Sequence, residues 1–386
     1  MTTPSGKQRL LLITRNFPPL WGGMERLNGH IADELARAYE VTIVAPAGAA
    51  AHAPAGVAVI EAPLRPLWRF LLLAAWRALR VARRARPDVV LAGSGLTAPL
   101  AWLAARYCGA RAATYVHGLD LTVPHPVYRA LWLPALRRMH CVIANSRATA
   151  ALAQGIGIAP ARIHIVHPGV DLPAPDTTAR ARFRAAHGLD EHVPVLLSVG
   201  RLTARKGLRE FVVEVLPQIL AQRPGTMLVV IGSAPAQALF AAAQTPESIR
   251  VAAMQVGVAD HVRFLGNQPD AVLADAYLAA DMLVFPVREL PGDIEGFGMV
   301  AVEAAAHGLP TVAYATGGVV DAVAAGQSGR LVVPGDAAAF AAAVLELLAQ
   351  PPDRAAARAF AARFAWPQFG ARLCRALDAE SRAQAS

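Results

Sequence analysis

The 386-residue sequence predicts two doubly wound α/β domains in tandem. Three observations carry that prediction. Short continuous apolar runs alternate with helical periodicity through both halves, the pattern of parallel sheets covered on both faces. The length exceeds one typical domain and suits two of roughly 150–200 residues. Hydrophobic residues make up 55% and charged residues 17%, enough for two cores and unlike a disordered chain.

In the first half the strand-like runs are "RLLLITR", "EVTIVAP", "PDVVLAG", "AATYVHG", "CVIANS" and "IHIVHPG". The second half offers "VPVLLSVG", "TMLVVIG", "HVRFLG", "DMLVFPV", "PTVAYAT" and "GRLVVPG". Helical stretches lie between them, as right-handed crossovers require. Residues 1–172 form the expected first domain, 173–190 the linker region and 191–365 the second domain. A last helical stretch, 366–386, is a candidate for packing back on the first. Ligands of such sheets sit at the carboxyl ends of the strands, so a cleft between the domains is the expected site.

Composition excludes several classes. Three cysteines, Cys108, Cys141 and Cys374, lack CxxC spacing, which argues against a zinc site or disulfide framework and fits a reducing cytoplasm. The N-terminal apolar run is too short for a signal peptide, and no apolar run reaches the length of a membrane span. Charge is uneven: residues 1–172 hold 19 Lys+Arg against 8 Asp+Glu, whereas 173–386 hold 18 against 20. A basic first half and a near-neutral second half imply different partners.

Candidate chemistry concentrates in a few places. "PGDIEGFGMVAVEAAAHGLP" puts Glu295 in a glycine-broken turn and Glu303 on the apolar helix that follows. The start of that helix carries N–H groups suited to an anion. Were the segment helical throughout, the two acids would stand about 12 Å apart, on the scale of an anionic ligand with hydroxyls at both ends. "GRLTARKG" follows a strand and sets Arg201 and Lys206 where two cations could clamp a diphosphate. Alone it reads equally as a solvated basic turn. Only Lys7 and Lys206 are lysines among 37 basic residues, so a lysine here hints at a need for a compact charge. Gly22-Gly23, before a helix, would let backbone approach a ligand, or would simply turn the chain. His117 ends a strand, where a lone histidine is more often structural. Gly93-Ser94-Gly95 with Ala98 makes a GxGxxA between strand and helix, the best argument for NAD(P), but it is on a later strand and lacks the expected acidic residue.

Together these residues resemble a retaining glycosyltransferase of the GT-B fold, family 4. The resemblance runs over most of the chain and rests on "GGMERL", "HGLD", Asn145-Ser146, "HPGVD" at 167–171, "VGRLTARKG", "EGFGMVAVEA", "HGLPTVA" and "GGVVDAV". It implies that Arg201 and Lys206 hold the donor diphosphate, Glu303 the ribose and Glu295 the transferred sugar. The amides of Phe297, Gly298 and Met299 would lie near sugar and phosphate. Gly22 and Gly23 would line the first-domain side, His117 would stand near the sugar and leaving phosphate, and Gly266 would approach the base. Two departures stand out: Ser94 lies where many relatives carry a His-rich turn, and Asp321 replaces a usual Glu.

The implied reaction moves a sugar from a nucleoside diphosphate to a hydroxyl acceptor with retention. The leaving phosphate takes the acceptor proton, so no enzymatic nucleophile is named. The cations and helix N-terminus would stabilise the departing charge, and closure of the domains on the donor is expected. No Asp-x-Asp pair occurs, so neither metal nor other cofactor is expected. GDP-mannose is favoured over UDP-glucose or UDP-N-acetylglucosamine by the family's habit.

"RPLWRFLLLAAWRALRVARRARPD" is the most basic stretch. On a continuous helix Arg65, Arg69, Arg77, Arg80, Arg83 and Arg84 share an arc of about 120°. With Trp68, Phe70 and Trp76 nearby, this suits an anionic membrane surface, or equally a solvated face of a sheet-covering helix. The first option favours a lipid-linked or glycan acceptor in envelope polysaccharide or glycolipid assembly, at the cytoplasmic side of the membrane. Nucleic acid is not expected as a partner. Rival readings are an NAD(P) oxidoreductase, an epimerase or phosphorylase of the same architecture, and a non-catalytic nucleotide-sugar-binding protein.

Overall fold

A computed structural model describes residues 7–20, 22–234 and 244–383. Residues 1–6 and 384–386, the outer ends of the expected first domain and of the last helical stretch, lie outside the described residues. The chain divides into two compact units, Met1–Gly169 with Trp366–Ser386, and Val170–Ala365.

The first unit holds a seven-stranded sheet of order β3-β2-β1-β4-β5-β6-β7, with every pairing parallel. The strands are β1 (Arg9–Ile13), β2 (Glu40–Pro46), β3 (Ala58–Ala62), β4 (Val89–Ala92), β5 (Arg111–Val116), β6 (Cys141–Ala144) and β7 (Ile163–Ile165). β1, β4 and β6 are almost entirely buried, as their unbroken apolar runs require. β3 was missed in the sequence because an edge strand reading "AVIEA", mostly half-buried, offers neither an apolar run nor strict alternation.

Helices α1 (Gly23–Ala38), α2 (Leu67–Ala85), α3 (Ala98–Cys108), α4 (Gly118–Thr122), α5 (Pro126–Arg137) and α6 (Arg147–Gly155) connect these strands. The strand order reverses at β1. Right-handed crossovers therefore put α1 on one face and α2, α3, α5 and α6 on the other. α2 packs beside α3, and α3 beside α5. The expected arginine arc on α2 is only partly realised. Arg65 precedes the helix and Arg77 is half-buried, whereas Arg69, Arg80, Arg83 and Arg84 are exposed. Phe70 faces the core and is fully buried, so it does not join Trp68 and Trp76 outside.

The helix Trp366–Ala383 belongs to the first unit and packs against α1. Its Phe369, Leu373 and Leu377 are buried, and Trp366 stacks on His30 with ring centroids 3.7 Å apart. Asp378 accepts from Tyr39 at 2.9 Å, and Arg111 donates to the Leu377 carbonyl. Phe369→Ala is expected to cost about 3–5 kcal/mol of first-unit stability, read as a lowered melting transition.

The second unit holds six parallel strands in the order β10-β9-β8-β11-β12-β13. They are β8 (Val195–Val199), β9 (Met227–Ile231), β10 (Val262–Gly266), β11 (Met282–Phe285), β12 (Thr311–Tyr314) and β13 (Gly329–Val332). Residues 173–190, read as linker, contain the helix Ala179–Ala186, which packs within this unit. Arg184 on that helix is 1% exposed. It donates to the carbonyls of Ala279, Asp190, Glu191 and Val193 and pairs with Asp281 at 2.9 Å. A buried guanidinium so fully bonded is a structural anchor.

Candidate functional site

The second sheet reverses its order at β8, between β9 and β11, and the loops leaving β8 and β11 therefore emerge side by side. Open α/β sheets bind ligands at such a point. The two loops are tied together by backbone, Arg288 N–H donating to the Arg205 carbonyl at 2.8 Å, and by the Arg288–Glu210 pair at 2.6 Å.

From the β8 loop come Arg201, Arg205 and Lys206; from the β11 loop come Asp293 and Glu295. Lys206 Nζ lies 2.7 Å from Glu295 Oε2, and Arg205 donates to the same oxygen while its Nε stands 2.9 Å from Asp293. Burial would push the Glu295 carboxyl up, but the charges of Lys206 and Arg205 outweigh it and hold the group at about 2. Burial draws the Lys206 ammonium below its ordinary value despite Glu295, and the ammonium also sits 4.7 Å from the centre of the Phe285 ring. A small pocket lined by Gly200, Arg201, Lys206, Phe285 and Pro286 opens beside it. Arg201 is exposed and carries no ion pair among the described residues.

The turn "EGFG" is irregular and not helical, as its two glycines imply, and the helix that follows is Met299–Ala306, so the span reckoned for a continuous helix does not apply. Gly298 causes the break. It caps this helix at φ +95°, and a Cβ there would stand 2.9 Å from Phe285 Cε1, so both backbone and space demand glycine. Phe297 is buried against Phe364, leaving its backbone alone to meet a ligand. Gly318 of "GGVVDAV" donates to the Glu295 carbonyl at 2.9 Å and so holds the turn in place. Glu303 is half-buried and accepts from Tyr277 Oη at 2.9 Å. Gly266 ends β10, two strands from the β8 loop, and open space surrounds the position a Cβ would take.

In the first unit, Gly22 precedes α1 and Gly23 begins it. Glu25 folds back beneath Gly22, where a Cβ would meet its Oε2 at 2.3 Å, and Asn16 donates to Glu25 Oε1 at 2.6 Å. His117 follows β5 and caps α4, its N–H donating to Asp120 at 2.9 Å. Asn145 Nδ2 lies 3.3 Å from His117 Nδ1, and Nε2 is buried without a partner among the described residues. Burial lowers the His117 pKa against the opposing pull of Asp120, so the ring is neutral at physiological pH.

The GxGxxA stretch is explained by its own surroundings. A Cβ on Gly93 would stand 2.0 Å from Asn28 Oδ1, and one on Gly95 would stand 2.6 Å from Asp120 Cβ. Thr97 donates to the Ile13 carbonyl at 2.8 Å. Ser94 is buried. These glycines serve close packing of the turn after β4 against α1 and α4, which accounts for the pattern without a dinucleotide.

Comparison with known proteins decides the family. The model for glycosyl transferases group 1 matches residues 179–364, and that for glycosyltransferase family 4 matches 21–173. A GDP-mannose-dependent alpha-(1-6)-phosphatidylinositol monomannoside mannosyltransferase of Mycolicibacterium smegmatis is 34% identical over 97% of this chain and 100% of its own length. The chain belongs to the family 4, group 1 glycosyltransferases. The mannosyltransferase of the same description from Mycobacterium tuberculosis is 32% identical over the same shares. Among solved structures, Anabaena HepE in complex with UDP superposes with a TM-score of 0.76 at 20% identity, covering 96% of this chain and 100% of that one. The fold of this glycosyltransferase is thus GT-B, with two Rossmann-like domains, and its donor is a nucleotide sugar.

Sequence reasoning gave no role to four residues of the glycosyltransferase that meet its candidate groups or their partners. Arg205 adjoins Lys206 but was passed over in favour of the more widely spaced Arg201–Lys206 pair. Asp293 stands two residues before Glu295 and shares Arg205 with it. Tyr277 and Asn145 reach Glu303 and His117 from distant elements, and only tertiary pairing reveals them.

Proposed function

We propose that this glycosyltransferase moves mannose from GDP-mannose to a hydroxyl of a lipid-linked acceptor, with retention of anomeric configuration and without a metal ion. The observation that carries this reading is the pairing of Lys206 with Glu295 on the two loops at the strand-order reversal, just ahead of the helix that carries Glu303. Arg201 and Lys206 would receive the diphosphate and stabilise the charge that gathers on it as the sugar leaves. The first-turn N–H groups of the helix Met299–Ala306 would add to that stabilisation. Glu303, oriented by Tyr277, would accept from ribose hydroxyls, and Glu295 from a sugar hydroxyl. Neutral His117 would donate from Nε2 to the sugar or the leaving phosphate. Gly22, Gly23 and the amides of Phe297, Gly298 and Met299 keep the donor-side roles that the family assigns, as does Gly266 beside the base. Two cations on the diphosphate supply the neutralisation a metal would otherwise give. Preference for GDP-mannose and for a lipid acceptor follows the full-length mannosyltransferase relatives.

The test is thermal stabilisation by GDP-, UDP- and ADP-sugars and NAD(P), with chelator present, on the parent and on Glu303→Ala. Selective stabilisation by GDP-mannose, lost in the variant, is the expected result. Stabilisation by NAD(P) alone would sink the proposal. The one-bond carbon–proton coupling at the anomeric centre of the transferred mannose then reports retention.

A further inference from the structure

We propose that the first unit docks on an anionic lipid bilayer through the shared outer face of α2, α3 and α5. This deepens the reading of the acceptor as lipid-linked and rests on it. Trp68, Leu72 and Trp76 recur every four residues on α2 and form one stripe, 64%, 65% and 50% exposed. Single exposed apolar residues are ordinary, but an aligned Trp-Leu-Trp stripe is not. The neighbouring helices extend it with exposed Leu103 and Tyr107 on α3 and Leu131 on α5.

Charge identifies the occupant. α2 carries five arginines, α3 one and α5 two, and none of the three helices carries an acid. The Arg80 guanidinium lies 4.6 Å from the centre of the Trp76 ring, so an apolar anchor and a cation share one position. Tryptophan and arginine together at a surface match the boundary between acyl chains and anionic headgroups. A second copy of this face would set arginine against arginine with no carboxylate to pair. No helix among the described residues is long and apolar enough to cross a membrane, so the contact is one of lying on the surface.

The experiment is sedimentation of the full-length protein with vesicles of phosphatidylcholine alone or with about 30% phosphatidylglycerol. The parent is compared with Trp68→Ser/Leu72→Ser/Trp76→Ser. Binding to the anionic vesicles alone, weakened by salt and accompanied by a blue shift of tryptophan emission, is expected. The triple variant should bind at least about tenfold more weakly while GDP-mannose stabilises it as it does the parent, which controls for folding. Equal binding to both vesicle types, no binding to either, or parent-like binding by the variant would overturn the proposal. So would a dimer in gel filtration that the triple substitution dissolves, which would assign the face to a second copy. Absence of vesicle binding with donor stabilisation and transfer to a detergent-solubilised acceptor intact removes the docking face and leaves the transferase reading standing. Anionic vesicle binding without donor stabilisation does the reverse.

Discussion

Lys206→Ala lowers kcat/KM for sugar transfer by about 10³-fold, the scale of removing a preorganised partner of developing negative charge. Its melting temperature changes far less, because Arg205 still holds Glu295. Lys206→Arg does not restore the rate. The ammonium sits over the Phe285 ring and against Glu295, and Arg205 already occupies the other approach to that carboxylate. A planar guanidinium is larger and cannot take the same point contact. Steady-state kinetics of the two variants decide the matter. A loss below about tenfold in Lys206→Ala would count against any role in stabilising the leaving diphosphate.

Arg205→Met is expected to cost about 3–5 kcal/mol of stability, because it takes from Asp293 its ion-pair partner and leaves Glu295 with Lys206 alone. For a unit of this size that is a fall of roughly 10 °C in its melting transition. Arg205→Met/Asp293→Asn recovers part of it by removing one of the two acids. The pH dependence follows from the same contacts. Glu295 is held at about 2, below its ordinary 4.5, so its contribution is complete above the ordinary value and is lost as pH falls through 2. In Arg205→Met one of the two depressing charges is gone, so Glu295 titrates nearer its ordinary value, and the stability it loses in acid is smaller and is exhausted at higher pH than in the parent. Melting curves taken from pH 6 down to about pH 2 test this; superimposable acid limbs would show that Arg205 does not bear on Glu295.

Both sheets were legible because their central strands are buried on two faces and must be written as unbroken apolar runs. "VVLA" and "MLVF" could hardly be anything else. The half-exposed edge strand Ala58–Ala62 escaped because nothing compels such a run there. The candidate donor residues were legible for a related reason. Gly298, Glu295 and Glu303 depart from what an apolar helix and its turn would otherwise contain, and Lys206 departs from a chain that otherwise uses arginine. The GxGxxA misled because two glycines between strand and helix serve close packing as well as they serve a cofactor. Only the neighbours Asn28 and Asp120 tell the two uses apart.

Local sequence thus determined what could be written in a short window: the two sheets, the loops that carry charge, the helix that begins at a glycine turn. The tertiary structure decided what depends on which distant segments meet. It set Arg205 against Asp293 and Glu295, Tyr277 on Glu303 and Asn145 on His117, and it turned Phe70 inward while leaving Trp68 and Trp76 outside. The physical reason is that apolar burial and backbone pairing are repeated along a strand or helix and leave a periodic trace. An ion pair or a hydrogen bond between separate loops costs the chain only two residues, at no fixed spacing.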